Sequence, residues 1–313
     1  MADLRINTID DFDYQGKTVI LRVDINSPLD PSTKQIVGEN RLNKSIPTLR
    51  ALLDKGAKVA ILAHQGDTLD YHNLIPLAEH AKRLSAKLGK PIRYIDDVAG
   101  PAAQAAIKAL PPGEAVLLGN VRYLTEEVST FEKAVKLTPK QMVDCYLVRQ
   151  LAPLADYYVN DAFAAAHRNS PSMVGFAEVL PTAGGRQLVA EVQALHAIME
   201  NPQRPSVFVL GGLKISDAFG MIRQVLENGS ADKILTGGVT GIIMSIAQGQ
   251  SFGKQQEQFL KDRSLDVFVE PAREFMEKYK DRFVNPSDFA YERDGTRVEC
   301  ILEELPIDDA LYL

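Results

Sequence analysis

Apolar residues fall along this chain in two alternating rhythms. Short unbroken runs of Val, Ile, Leu and Ala are separated by longer stretches in which apolar positions recur at three and four. The first rhythm is that of strands buried on both faces, and the second that of amphipathic helices. TVILRVDIN (18–26), AKVAILAH (57–64), IRYID (92–96), AVLLGNVRY (115–123) and DYYVNDAF (156–163) predict strands. NRLNKSIPTLRALLDKG (40–56), NLIPLAEHAKRLSAKLG (73–89) and PAAQAAIKALPPG (101–113) predict helices closed by glycine. The stretch 131–155 predicts further helix, and 164–187 reads as a loop rich in Pro, Ser and Gly. A helix over about 188–199 follows it.

The same grammar then restarts. SVFVLGG (206–212) and ADKILTGG (231–238) are strands that each end in Gly-Gly before a helical stretch. Asp294-Gly295-Thr296 predicts a hairpin turn between FAYER and RVECIL. Strands separated by helices imply parallel pairing and an α/β protein. We place the domain boundary within 172–187, which divides the chain into 1–180, a connecting helix at 181–200, and 201–313. The second part shows about three core strands against five in the first. Its last residues, ALYL (310–313), are expected to point toward sheet that the sequence does not supply.

Composition narrows the picture little. The chain has 313 residues, 45% hydrophobic and 24% charged, which is ordinary globular usage. Cys145 and Cys300 lie far apart without a metal-binding pattern, so a reducing, cytoplasmic setting is expected. No run approaches 18 apolar residues, and the amino terminus lacks a secretory pattern. A net charge of −6 argues against a nucleic-acid surface while leaving room for a local basic pocket.

Such a pocket has an expected place. Ligands of open α/β sheets bind beyond the carboxyl ends of the strands. Asp24 and Asn26 end the first strand and His64 the second. Arg122 lies late in the fourth, and Asn160 and Asp161 end the fifth. His167 and Arg168 follow in the next loop, and Arg41 opens the first helix. The strand alternation predicts that Asp24 and Asn26 point together into a cleft. Several arginines on one rim suit a multiply charged anion, because each guanidinium donates two parallel hydrogen bonds. Taken singly, an arginine is more often a solvated surface residue, His64 a structural histidine, and Arg22 with Asp24 an internal ion pair. In the second half, GGLKISD (211–217) and TGGVTG (236–241) could bring backbone N–H groups to phosphate oxygens, with Lys214 at hand. Neither is a P-loop or a dinucleotide fingerprint, and a plain tight turn is the alternative.

VILRVDINSPL, VAILAHQGD, VLLGNVRY, DYYVNDAFAAAHRNSPSMVGF, VFVLGGLKISD and ADKILTGGVTGIIMSIAQG together resemble the phosphoglycerate kinase family in its archaeal form. The resemblance implies two Rossmann-like three-layer α/β/α domains with mostly parallel sheets, joined by a hinge helix. It implies reversible phosphoryl transfer between 1,3-bisphosphoglycerate and ADP, giving 3-phosphoglycerate and ATP with Mg²⁺, as in glycolysis and gluconeogenesis. Asp24, Asn26, Arg41, His64, Arg122 and Arg168 would bind 3-phosphoglycerate, with Arg41 and Lys214 catalytic. Gly211, Gly212, Lys214, Gly237 and Gly238 would line the nucleotide side. No nucleic acid or membrane partner is implied, and a monomer is expected, with a dimer as the alternative.

The chain departs from the family pattern in three places. HQGDTLD puts Asp67 where many members carry a phosphate-binding arginine, and a second family lysine falls on Ala218. The family also continues with segments that supply the carboxylate for the nucleotide-bound metal, part of the adenosine pocket and a terminal helix. The expectation is an incomplete second domain, no assigned metal ligand, and little activity in this chain as written. The alternative reading is a non-catalytic phosphate-ligand-binding or scaffold protein derived from the fold.

Overall fold

The computed structural model describes residues 6–66, 71–200, 202–212, 214–309 and 311. They form two compact units, one ending at Ala194 and the other beginning at Leu195.

The first unit is built on six strands: β1 (Thr18–Val23), β2 (Lys58–Leu62), β3 (Ile92–Tyr94), β4 (Ala115–Leu117), β5 (Tyr157–Asp161) and β6 (Thr182–Gly184). Their order is β3-β4-β2-β1-β5-β6, and every pairing is parallel. The helices are α1 (Asn40–Asp54), α2 (Ala78–Leu88), α3 (Pro101–Lys108), α4 (Ser129–Val135), α5 (Tyr146–Leu151) and α6 (Arg186–Glu200). Side chains of β1 alternate between the two faces. Val19, Leu21 and Val23 pack with Leu42, Leu49 and Leu52 of α1 and with Leu84 of α2. Ile20 packs with Ala103 and Ile107 of α3 and with Leu147 and Leu151 of α5. Arg22 shares the parity of Ile20, and its guanidinium therefore enters the protein, only 3% exposed.

Several predicted elements are shorter than expected. β1 stops at Val23, so Asp24 and Asn26 lie on the turn beyond it. β4 stops at Leu117, and Arg122 sits not on a strand but in a 3₁₀ turn, Val121–Tyr123. Asn120 caps that turn, its Oδ1 accepting from Arg122 N at 3.1 Å. α2 starts only at Ala78, because Pro76 biases the residue before it away from helix. The helical stretch 131–155 is broken into α4, α5 and two 3₁₀ segments, Pro139–Asp144 and Ala152–Leu154. Both 3₁₀ segments contain a proline, Pro139 and Pro153, which lacks the N–H that a continuing α-helix needs. The loop 164–187 contains β6, three residues that pair with β5 and carry the first unit past residue 180. The division between units consequently falls inside α6, later than the 172–187 boundary placed from the sequence.

The second unit contains β7 (Val207–Leu210), α7 (Ile215–Glu227), β8 (Lys233–Thr236), α8 (Gly238–Ala247), α9 (Lys254–Asp262), α10 (Val269–Tyr279) and β9 (Phe283–Val284). Its parallel sheet has the order β7-β8-β9. A separate antiparallel hairpin, β10 (Asp288–Arg293) with β11 (Thr296–Ile301), turns at Asp294 and Gly295. Both turn residues have positive φ, 51° and 73°, as the Asp-Gly pair predicts. Of the last residues, expected to point toward further sheet, Ala310, Tyr312 and Leu313 lie outside the described residues, and Leu311 packs instead on the hairpin. It bridges to Tyr291 on the hairpin and is buried. Among the described residues no helix is long and apolar enough to cross a membrane.

Candidate functional site

β1 is the point at which the first unit's sheet reverses direction, since the chain winds outward through β2 on one side and β5 on the other. A cleft of about 210 Å³ opens beyond the carboxyl ends of β1 and β5, where such sheets bind ligands. Asp24, Arg41, Lys44, Asp161, Gln187 and Glu191 contribute to its lining. Arg41, in the first turn of α1, donates from Nη1 to Asp24 Oδ2. Asp24 therefore orients an arginine that remains nearly half exposed. Asn26 does not join it in the cleft: its Oδ1 accepts from Gly66 N at 3.0 Å and fixes the loop after β2. The pairing of Arg22 with Asp24 allowed by the sequence is also absent, each residue having other hydrogen-bond partners.

A second, narrower pocket of about 20 Å³ is lined by Arg22, His64, Arg122, Glu127, Arg168 and Ser170, among others. Arg122 donates to Gly66 O, and Arg168 Nε pairs with Glu132 Oε2 at 3.0 Å. His64 is buried, with Arg22 Nη2 3.0 Å from its Nδ1. Burial, followed by repulsion from Arg22, Arg122, Arg41 and Arg168, holds its pKa well below the usual histidine value. Four guanidinium groups thus act on one imidazole, although their side chains are shared between two pockets. The ring is neutral at pH 7. Because Arg22 donates to Nδ1, the ring proton resides on Nε2.

The remaining strand-end residues have structural partners. Asn160 Oδ1 accepts from Ala162 N at 3.0 Å, and His167 is exposed and lines neither pocket. Asp161 is buried, and its Oδ1 accepts from Gln187 N and Leu188 N at 2.9 and 3.1 Å, capping α6. Burial pushes its pKa up to about 6 despite those bonds. A Cβ on Gly185 would come within 2.3 Å of the same oxygen, so any larger residue there would displace the Asp161 carboxylate.

Three buried groups escaped the strand-end rule. Glu127 accepts from Ser172 N and Oγ, both at 2.6 Å, and Ser172 Oγ accepts from Arg22 Nε at 3.1 Å. Burial pushes the Glu127 carboxyl up to about 7, while Ser172 and Arg22 pull the other way. Arg22 could have been flagged by its parity with Ile20 in an otherwise apolar strand. Glu127 and Ser172 carry no local signal, since they lie in single short turns, a 3₁₀ turn at Thr125–Glu127 and a π-helical turn at Pro171–Gly175.

In the second unit the glycines of the two adjacent strand ends lie against each other. Gly237 N donates to Leu210 O at 3.0 Å, and a Cβ on Gly211 would approach Gly237 O to 3.1 Å. Gly212 and Gly238 have φ of 91° and 52°, a region favourable to glycine. Gly237 and Gly238 line a pocket of about 440 Å³ together with Thr236, Asn285 and Asp288. Gly211, Gly212 and Lys214 lie outside it, on the neighbouring loop. Lys214 is exposed at the amino end of α7. Ala218 is buried in the core face of α7, where a lysine would lose solvent. Asp67 lies outside the described residues. Among the described residues no group of three His, Cys, Asp or Glu side chains is placed to hold a metal ion.

A guanidinium-lined pocket at the strand ends of one parallel α/β unit, followed by glycine turns at the strand ends of another, provides the parts of a phosphotransferase. A family model described as "Phosphoglycerate kinase" matches residues 9–310, and the chain belongs to that family. The phosphoglycerate kinase of Methanothermobacter thermautotrophicus is 41% identical over 305 residues, covering 97% of this chain and 72% of that protein. That of Sulfurisphaera tokodaii is 44% identical over 276 residues, covering 88% and 65%. The crystal structure of phosphoglycerate kinase from Pyrococcus horikoshii matches with a TM-score of 0.91 at 34% identity, covering 98% of this chain and 74% of that one. Family membership supports phosphotransferase activity in general.

Proposed function

We propose that the first unit binds 3-phosphoglycerate and the second binds ADP or ATP, for reversible phosphoryl transfer with 1,3-bisphosphoglycerate. The observation that carries this reading is the convergence of Arg22, Arg122 and Arg168 on one pocket with the buried His64. A neutral imidazole among cations offers a hydrogen bond without adding desolvation cost of its own charge. Arg122, Arg168 and His64 would grip the substrate anion. Asn26 acts indirectly, by fixing the Gly66 loop that also receives Arg122. Arg41, held by Asp24, would neutralise charge on the transferring phosphoryl. The acceptor is already a carboxylate nucleophile, so positioning and charge compensation are the protein's main tasks.

On the nucleotide side, the backbone of Gly211, Gly212, Gly237 and Gly238 would approach the phosphates, with Lys214 reaching them from α7. Among the described residues no group of three His, Cys, Asp or Glu side chains is placed to hold the Mg²⁺ that accompanies the nucleotide. α6 serves in this reading as the connecting helix. We further propose that one face of the second unit's described sheet is left uncovered and that the 313-residue chain turns over slowly. This rests on β7, where Val207 and Val209 stand 48% and 75% exposed. Parallel sheets ordinarily have both faces covered.

Calorimetry with 3-phosphoglycerate and with Mg-ATP, beside 3-phosphoglycerate-dependent ADP production, tests the reading. Binding of 3-phosphoglycerate with turnover more than about 100-fold below the Methanothermobacter enzyme is expected, the scale of losing one transition-state contact. Absence of 3-phosphoglycerate binding refutes the first-unit assignment. Turnover equal to that enzyme refutes the proposed deficit, whereas complete loss of Mg-ATP binding favours a non-catalytic phosphate-ligand binder.

A further inference from the structure

The buried chain Glu127–Ser172–Arg22–His64 connects four separate segments and ends on a ring that lines the anion pocket. All four residues are at most 6% exposed. Resting on the reading of that pocket given above, we propose that Glu127 is a positioning residue. It acts through Ser172 and Arg22 to hold His64 in its Nε2–H tautomer, which presents a donor to the anion bound beside Arg122 and Arg168.

Each link follows from donor and acceptor inventory. Both Glu127 oxygens are occupied by Ser172, one by the backbone N–H and one by the hydroxyl. The hydroxyl proton is thus committed to the carboxylate, and an oxygen lone pair is left for Arg22 Nε–H. Arg22 also donates to Val23 O, which fixes the plane of the guanidinium and aims Nη2 at His64 Nδ1. A protonated Nδ1 would meet that N–H donor to donor, losing a hydrogen bond and adding repulsion. Arg22 has no other buried carboxylate in this chain of bonds, so Glu127 supplies the opposing charge one residue removed. Other groups near Glu127 are Glu126 on its own turn, Tyr158 of β5 and Cys145. The Tyr158 hydroxyl donates to Ser172 O at 2.7 Å, which keeps the Ser172 backbone in place when the carboxylate is altered.

The test is long-range ¹⁵N–¹H correlation of the imidazole rings in the 313-residue protein at pH 7.5, with His64→Gln supplying the assignment. The unaltered protein should show His64 as a single Nε2–H tautomer. Glu127→Gln and Ser172→Ala should give a mixture of tautomers, and Ser172→Thr, which keeps the hydroxyl, should restore the single form. Calorimetry on the same proteins should show 3-phosphoglycerate binding about tenfold weaker in the first two variants and unchanged in the third, the scale of one buried hydrogen bond. A single Nε2–H tautomer in folded Glu127→Gln and Ser172→Ala proteins overturns the proposal. If Glu127→Gln does not fold, Ser172→Ala alone decides. A tautomer shift in a protein that never binds 3-phosphoglycerate supports the relay while removing the substrate reading.

Discussion

The two units solve the same problem with different materials. In the first, the central strands are covered on both faces, and the buried polar groups around His64 are hydrogen-bonded to one another. Arg22, His64, Ser172 and Glu127 satisfy each other, and Arg41 and Arg168 have carboxylate partners. In the second, two of the three described parallel strands, β7 and β8, end in glycine turns, and two valines of β7 face solvent. Side-chain recognition of an anion requires fixed guanidinium groups, and fixing them requires a closed, fully packed shell. Recognition by backbone N–H groups asks for only a local turn and the glycines that permit it. A phosphate-directed surface can thus persist where packing is thin, whereas an arginine cluster cannot.

Packing provides the sharpest way to break this contrast. Ile61 is fully buried at the centre of the first sheet, and Ile61→Ala should cost about 2–5 kcal/mol in denaturant unfolding followed by circular dichroism. A loss below about 1 kcal/mol would mean that the first unit's core is no tighter than the second's.

Histidine burial gives the next effect. His80 is buried, and its pKa is pushed down to about 4. The unfolded chain takes that proton near pH 6.5, so between about 4 and 6.5 the folded state binds fewer protons. The stability contributed is present above pH 6.5 and lost as pH falls toward 4, amounting to roughly 3 kcal/mol at most. Glu127 and Asp161, raised to about 7 and 6, act with the opposite sign, losing stability as pH rises through that window. Urea midpoints measured from pH 4.5 to 7 should therefore show a flatter acid side for His80→Gln than for the unaltered protein. An unchanged slope would assign the acid sensitivity to another group.

Smaller effects concern the two kinds of surface. Arg168→Ala should weaken 3-phosphoglycerate binding by about tenfold or more, the worth of a charge-assisted hydrogen bond, with little change in fold. Unchanged calorimetric affinity would place Arg168 outside the recognition set. Val209→Ala should shift stability by less than about 0.5 kcal/mol, as expected for a residue 75% exposed. A larger loss would show that β7 is covered in solution.

The legibility of the site differed residue by residue. Asp24, Arg41, His64, Arg122 and Arg168 were singled out by their positions at or just beyond strand ends, a rule about chain position, and they line two pockets. That rule could not divide them between two pockets, because the division depends on where β1 and β4 stop. It misplaced Asn26 for the same reason: one turn past Val23, strand parity no longer dictates direction. Glu127 and Ser172 were invisible because their contact spans 45 residues between two short helical turns. β6 was missed because three residues carry no period, and only β5 makes them a strand.

By itself the sequence determined the parallel α/β class, the glycine turns after the second-half strands and the Asp-Gly hairpin, since these follow from local period and backbone freedom. The tertiary structure decided which charges meet. Hydrogen-bond geometry over a few ångströms selects partners that chain order leaves open, and it turned Arg22 from a possible ion-pair partner of Asp24 into the neighbour of His64.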